Sequence, residues 1–113
     1  MHELGITQNI VAIAAEYASG HPVKRITLEI GKLTAIMPDA IRFCFDVCCQ
    51  GTILDGARLE IIEPPGLARC QRCSAMVPLE LPFGVCECGC QELQIVQGEE
   101  LSIKELETEE VCV

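Results

Sequence analysis

The chain contains no tryptophan, one tyrosine and three phenylalanines in 113 residues. An apolar interior must therefore be built from aliphatic side chains. Half of the residues are hydrophobic, which is enough to fold and excludes a disordered chain. Basic residues are also scarce, with eight Lys and Arg against 17 Asp and Glu and a formal net charge of −9. That balance excludes a phosphate backbone as partner, which needs clustered cations, and suits encounters with cations or basic protein surfaces. There are only two histidines and no glycine-rich phosphate loop, so no enzymatic activity is expected. No basic residue precedes Lys24, and Glu16 interrupts the first apolar pattern, so neither an export signal nor a membrane span is expected. Repeats and low-complexity segments are missing too. A chain of this length holds one compact domain, or a small domain with a metal-stapled module.

Cysteine is the exception, with nine residues. An odd number without an export signal implies a reducing cytoplasm, where disulfides do not persist. Five of the nine lie between Cys70 and Cys90, as Cys70-Gln-Arg-Cys73 and, after twelve residues, Cys86-Glu-Cys88-Gly-Cys90. Two short cysteine turns at this separation can face each other across one tetrahedral zinc ion. Four thiolates close the coordination shell, so the site is expected to be structural, holding a unit whose own core is thin. A redox C-x-x-C opens a helix, whereas here Pro64, Pro65 and Gly66 precede the motif and no helical pattern follows.

The chain opens Met1-His2-Glu3. The terminal amine, the amides of His2 and Glu3 and the His2 imidazole are four nitrogens within reach of one ion. Such a planar donor set suits Ni(II) or Cu(II), with the Glu3 carboxylate as an added oxygen or hydrogen-bond partner. By itself the motif is also what a chance histidine at an exposed start would look like.

Helical spacing predicts an amphipathic helix from about Leu4 to Ala18, with Ile6, Ile10, Ile13 and Tyr17 inward and Val11 and Ala14 widening the stripe. Ser19-Gly20 and His21-Pro22 end it, and His21 reads as a solvated loop residue. Strict alternation from Lys24 to Leu33 predicts a strand with Ile26, Leu28 and Ile30 inward and Arg25, Thr27 and Glu29 outward. A second helix is predicted from about Pro38 to Gln50, with Ile41, Cys44, Phe45 and Cys48 on its apolar face and Cys49 pointing elsewhere. Cys44 and Cys48, one turn apart, read as small hydrophobes rather than a metal pair. A strand from Ala57 to Glu63 carries Leu59 and Ile61 inward, and another runs from Leu101 to Leu106. Glu105, Glu107, Glu109 and Glu110 read as a solvated acidic end, and Cys112 as a free thiol within it.

In this order the pieces resemble the HypA/HybF family of hydrogenase-maturation nickel chaperones. They are Met1-His2-Glu3, Glu29-Ile30-Gly31, Phe43-Cys44-Phe45-Asp46, the turn at Cys70 and Gly98-Glu99-Glu100-Leu101. The resemblance covers essentially the whole length. It implies an α+β fold, two helices packed on a three-stranded mixed sheet with an inserted zinc-ribbon-like module. The nickel-binding domain would be residues 1–64 plus 99–113, and the zinc module residues 65–98. His2 becomes the principal nickel ligand, with Met1 supplying the amine and Glu3 an amide nitrogen. Cys70 and Cys73 become the first zinc pair. Nickel would be transferred to the [NiFe]-hydrogenase large-subunit precursor alongside a nickel-handling GTPase. The family's second pair is C-P-x-C-G, and this chain is one residue short there. Either Cys86 and Cys88 bind zinc through a C-x-C turn, which is the reading favoured here, or Cys86 and Cys90 bind in a wider loop. The contrasting reading is a zinc-ribbon binding module without nickel transfer. Its nucleic-acid form needs a basic face, and the loops offer only Arg69 and Arg72 against Glu80, Glu87 and Glu92.

Overall fold

The computed structural model describes residues 2–109. Its elements are α1 (Glu3–Ala18), β1 (Val23–Ile30), α2 (Pro38–Cys49), β2 (Arg58–Ile62), β3 (Gly66–Cys70), β4 (Met76–Leu79), β5 (Leu93–Gln97) and β6 (Leu101–Thr108). They form a mixed three-stranded sheet ordered β2-β1-β6 and a second three-stranded sheet ordered β4-β3-β5. The chain divides into two compact units. One comprises the residues up to Leu28, Ile36–Ile61 and those from Ser102 onward, and the other Glu29–Ala35 with Ile62–Leu101.

In the first unit, α1 and α2 pack together. The buried face of α1 is Thr7, Ile10, Val11, Ala14 and Ala18. The expected stripe is therefore rotated, because Ile13 is 46% and Tyr17 78% exposed. The period of 3.6 is satisfied by either series, and the small Ala14 and Ala18 allow a close helix approach that Tyr17 would block. Thr7 tolerates burial because its hydroxyl donates to the Glu3 carbonyl at 2.7 Å. Ser19 closes the helix at φ 51°, its N–H donating to the Glu16 carbonyl. On α2 the buried series is Ile41, Phe45 and Cys49, four residues apart, while Cys44 and Cys48 are half-buried. Cys49, expected to point elsewhere, is a core residue at 2% exposure.

Ile26, Leu28 and Ile30 are buried on β1 as the alternation requires. Thr27 is buried too, although it belongs to the outward series. Its cover is Arg25, whose guanidinium lies 3.5 Å from the Thr27 hydroxyl oxygen. The same guanidinium pairs with Glu60 of β2 at 3.3 Å and with Glu105 and Glu107 of β6 at 3.5 Å each. Glu105 and Glu107 are thus strand residues paired across the sheet rather than a loose acidic end. Glu110 and Cys112 lie outside the described residues.

In the second unit, β3 pairs antiparallel with β4 and with β5. The apolar core is only Leu33, Ala68 and Leu79, flanked by Val77, Leu93 and Ile95. Leu33 is held by its N–H, which donates to the Gly98 carbonyl at 2.8 Å. Gly98 has φ +112°, and a Cβ there would lie 2.7 Å from the Gly66 Cα and 2.9 Å from Leu33. Backbone meets backbone at this point, so only glycine fits.

Candidate metal centre

Strand β3 ends on the first cysteine, and the chain turns immediately. The Cys70 N–H donates to the Ala75 carbonyl and the Ser74 N–H to the Cys70 carbonyl, both at 2.9 Å, with Ser74 at φ 65°. The fold of this turn aims the N–H groups of Arg72 and Cys73 at the Cys70 sulfur, at 3.4 and 3.5 Å. A second closed turn carries Cys86. Its carbonyl accepts from the Gly89 N–H at 2.8 Å, and its N–H donates to the Cys90 carbonyl at 2.9 Å. Gly89 sits at φ +89° to close that ring. The Gln71 N–H reaches the Glu92 carbonyl at 3.0 Å and ties the two turns together.

The result is a group of four sulfurs, from Cys70, Cys73, Cys86 and Cys88, all within 4.8 Å of one another. Cys70 and Cys88 approach to 3.6 Å, Cys73 and Cys86 to 3.5 Å. A tetrahedron with Zn–S bonds of about 2.3 Å has sulfur–sulfur edges of about 3.8 Å. The donor set and its spacing fit zinc, and four thiolates leave no open position for chemistry. Cys90 is not in this group. It is 7% exposed, packs with Cys70 and Cys86, and its sulfur accepts the Glu92 N–H at 3.4 Å.

Two of the four thiols, Cys70 and Cys86, are shifted in opposite directions. The N–H of Cys73, then that of Arg72, hold the Cys70 thiol down to about 6. Cys86 receives the N–H of Cys88 but is pushed up overall to about 12, by burial and by neighbouring thiols that share its proton. Cys70 thus favours the thiolate, whereas Cys86 must give up its proton as a cation enters.

The chain start is built differently. His2 caps α1 at φ −94° and ψ 76°, its side chain exposed and making no cap bond. Its carbonyl accepts the Ile6 N–H at 3.1 Å, the first bond of the helix. Amides at a helix start have no acceptor four residues earlier. The N–H groups of His2 and Glu3 therefore stand outside the helical ladder. The Glu3 carboxylate accepts the Met37 N–H at 3.3 Å. Its pKa is lowered, first by its own backbone N–H and then by that of Met37. Met1 lies outside the described residues.

Among the described residues no other set of three or more His, Cys, Asp or Glu side chains converges. Cys44 and Cys48 share a helix with no third ligand, and burial, followed by the nearby Cys44, raises the Cys48 pKa. Burial pushes Cys49 to about 12, so it is an inert thiol. Sequence reasoning missed the Glu3–Met37 contact, which spans 34 positions and leaves no local signal. It also missed the Arg25 cluster, for which the alternation of Glu105 and Glu107 beside a strand pattern was the available clue.

Comparison with known proteins gives a consistent result. The family model described as hydrogenase/urease nickel incorporation, metallochaperone, hypA matches residues 1–108. A hydrogenase maturation factor HypA from Trichormus variabilis is 67% identical over 113 residues, covering all of both chains. One from Geobacter sulfurreducens is 44% identical over 110 residues, covering 96% of this chain and all of the relative. The solution structure of the Ni metallochaperone HypA from Helicobacter pylori superposes with a TM-score of 0.69 at 25% identity, over 96% of this chain and 97% of that one. Among the described residues no helix is long and apolar enough to cross a membrane.

Proposed function

The chain belongs to the HypA family of nickel-incorporation metallochaperones, which are maturation factors and not enzymes, and we propose that it carries its Ni(II) on the Met1-His2-Glu3 start. In this reading the Met1 amine, the amides of His2 and Glu3 and the His2 imidazole are the donors, and a structural zinc is held by Cys70, Cys73, Cys86 and Cys88. The observation that carries the nickel assignment is the exposed, uncapped His2 beside first-turn amides that no helical bond occupies. Planar nitrogen donors suit Ni(II). The Glu3 carboxylate is engaged by its own N–H and by that of Met37, so the Glu3 amide must give up the first of these bonds to serve as a nickel donor.

A carrier must hold its cargo and also give it up. Losing one nitrogen from an exposed chelate opens the plane to an incoming ligand, so transfer needs no unfolding. Loading displaces protons from the amine and the participating amides, so nickel affinity falls as pH falls. Zinc supplies cross-linking alone. The thiolates of Cys70, Cys73, Cys86 and Cys88 hold together a module, residues 65–98, whose buried apolar cluster, Ala68 and Leu79 joined by Leu33 from outside that segment, is too small to be stable unaided. The nickel-bearing part is residues 1–64 with 99–113.

A role in hydrogenase maturation implies partners in that process. We read them as the large-subunit precursor that receives nickel and a GTPase that handles it, in a reducing cytoplasm that keeps the cysteines as thiols. The test is to incubate nickel-loaded protein with the large-subunit precursor and measure nickel in the re-isolated precursor. Wild type should load it and His2→Ala should not, with both variants equally zinc-replete. Equal loading by His2→Ala would overturn the assignment.

A further inference from the structure

The fifth cysteine of the module is placed as a ligand is placed, although it is not among the four. The Cys70 sulfur accepts the N–H two residues ahead, that of Arg72, at 3.4 Å. The Cys90 sulfur accepts the N–H two residues ahead, that of Glu92, also at 3.4 Å. The two turns are joined by the Gln71 N–H bond to the Glu92 carbonyl. Cys90 is buried against Cys70 and Cys86, whereas Cys88 is exposed. Between Cys88 and Cys90 stands Gly89, at φ +89°, and apart from these two neighbours no residue comes within 4 Å of where a Cβ would lie. A glycine with open space around it lets the short loop change its pucker without a clash.

We propose that Cys90 is a reserve zinc ligand, which takes the fourth coordination position when the exposed Cys88 is lost from it. The exchange is a ligand substitution. The Cys90 thiol gives its proton to water as its sulfur bonds the metal, and the departing Cys88 thiolate takes up a proton. Charge and coordination number are unchanged, so the closed four-thiolate shell survives. The inference rests on the zinc reading above and adds to it a second all-sulfur arrangement. A C-x-C pair has little slack, and a buried thiol alongside supplies the donor that a regular C-x-x-C turn would not need.

The test uses Co(II) in place of zinc, read by the sulfur-to-cobalt charge-transfer absorption per bound metal, on the full chain. Wild type and Cys90→Ala should both show the four-thiolate intensity; if wild type does not, the four-cysteine reading itself fails. Cys88→Ala should keep the four-thiolate intensity, and Cys88→Ala with Cys90→Ala should lose one thiolate's share of it. Cys88 is exposed, so its truncation leaves the packing intact. A three-thiolate spectrum for Cys88→Ala would overturn the proposal. So would a four-thiolate spectrum for the double variant, because the replacement donor would then lie elsewhere.

Discussion

The two units of the molecule offer a metal opposite kinds of donor. The second has a core cluster of three buried apolar side chains, Leu33, Ala68 and Leu79, and four converging sulfurs, all from residues deep within the sequence. The first has a mainly aliphatic core on two helices and a sheet, and in our proposal it carries nickel at its start on a donor set made mostly of backbone nitrogen. Soft, preorganised thiolates in a closed shell suit an ion that stays. Backbone amides that must lose protons, on an exposed helix start, suit an ion that leaves. On the proposed assignment, metal retention follows from how many donors the fold has already fixed.

The sharpest way to break that contrast is to remove zinc. Chelation, or Cys70→Ala, should abolish hydrogen-exchange protection on β3, β4 and β5 while the amides of α1 and α2 keep theirs. Protection retained in β3 would mean that Leu33, Ala68 and Leu79 suffice without metal. Acid should do the same by degrees. The Cys70 thiol is lowered from 9.0 to about 6. A thiol lowered in the native state contributes stability that is complete above its unfolded value and is lost as pH falls through the native one. Zinc release measured by a chromophoric chelator should rise as pH falls, because protons compete with the metal for the sulfurs.

Two glycines sharpen the comparison at smaller scale. Gly98→Ala forces a Cβ onto the backbone of Gly66 and a left-handed φ onto alanine, and should destabilise by about 1–3 kcal/mol or more in denaturant unfolding. Gly5→Ala, inside α1 with nothing near its added Cβ, should instead stabilise by about 0.5–1 kcal/mol. If both substitutions destabilised alike, the tight crossing at Gly98 would not be a special feature. The smallest effect is expected for Arg25→Met. Its carboxylate partners Glu60, Glu105 and Glu107 are partly exposed, so the loss should be modest in low salt and shrink further as salt is raised.

Much of this architecture was legible in the sequence because local patterns carry it. The alternation of Ile26, Leu28 and Ile30, Pro38 opening α2 and the spacing of Cys70 and Cys73 each state a local constraint. Periodicity is weaker at choosing which of two adjacent stripes faces inward. Tyr17 and Cys49 were misplaced because the decision lies in the helix–helix contact. The missing residue in the second cysteine turn leaves two readings, with Cys88 favoured over Cys90. The folded loop separates them, bringing the Cys88 sulfur to 3.6 Å from that of Cys70 and turning Cys90 toward Glu92. Arg25 meeting carboxylates from both neighbouring strands depends on a strand order that no local pattern encodes.

The nickel site is the claim on which the account turns, and a calorimetric Ni(II) titration of zinc-loaded protein with its native start tests it most directly. The comparison proteins are His2→Ala and a form extended by a few residues before Met1. The account predicts binding by wild type that is lost in both. Unchanged binding in both would place nickel elsewhere and contradict it.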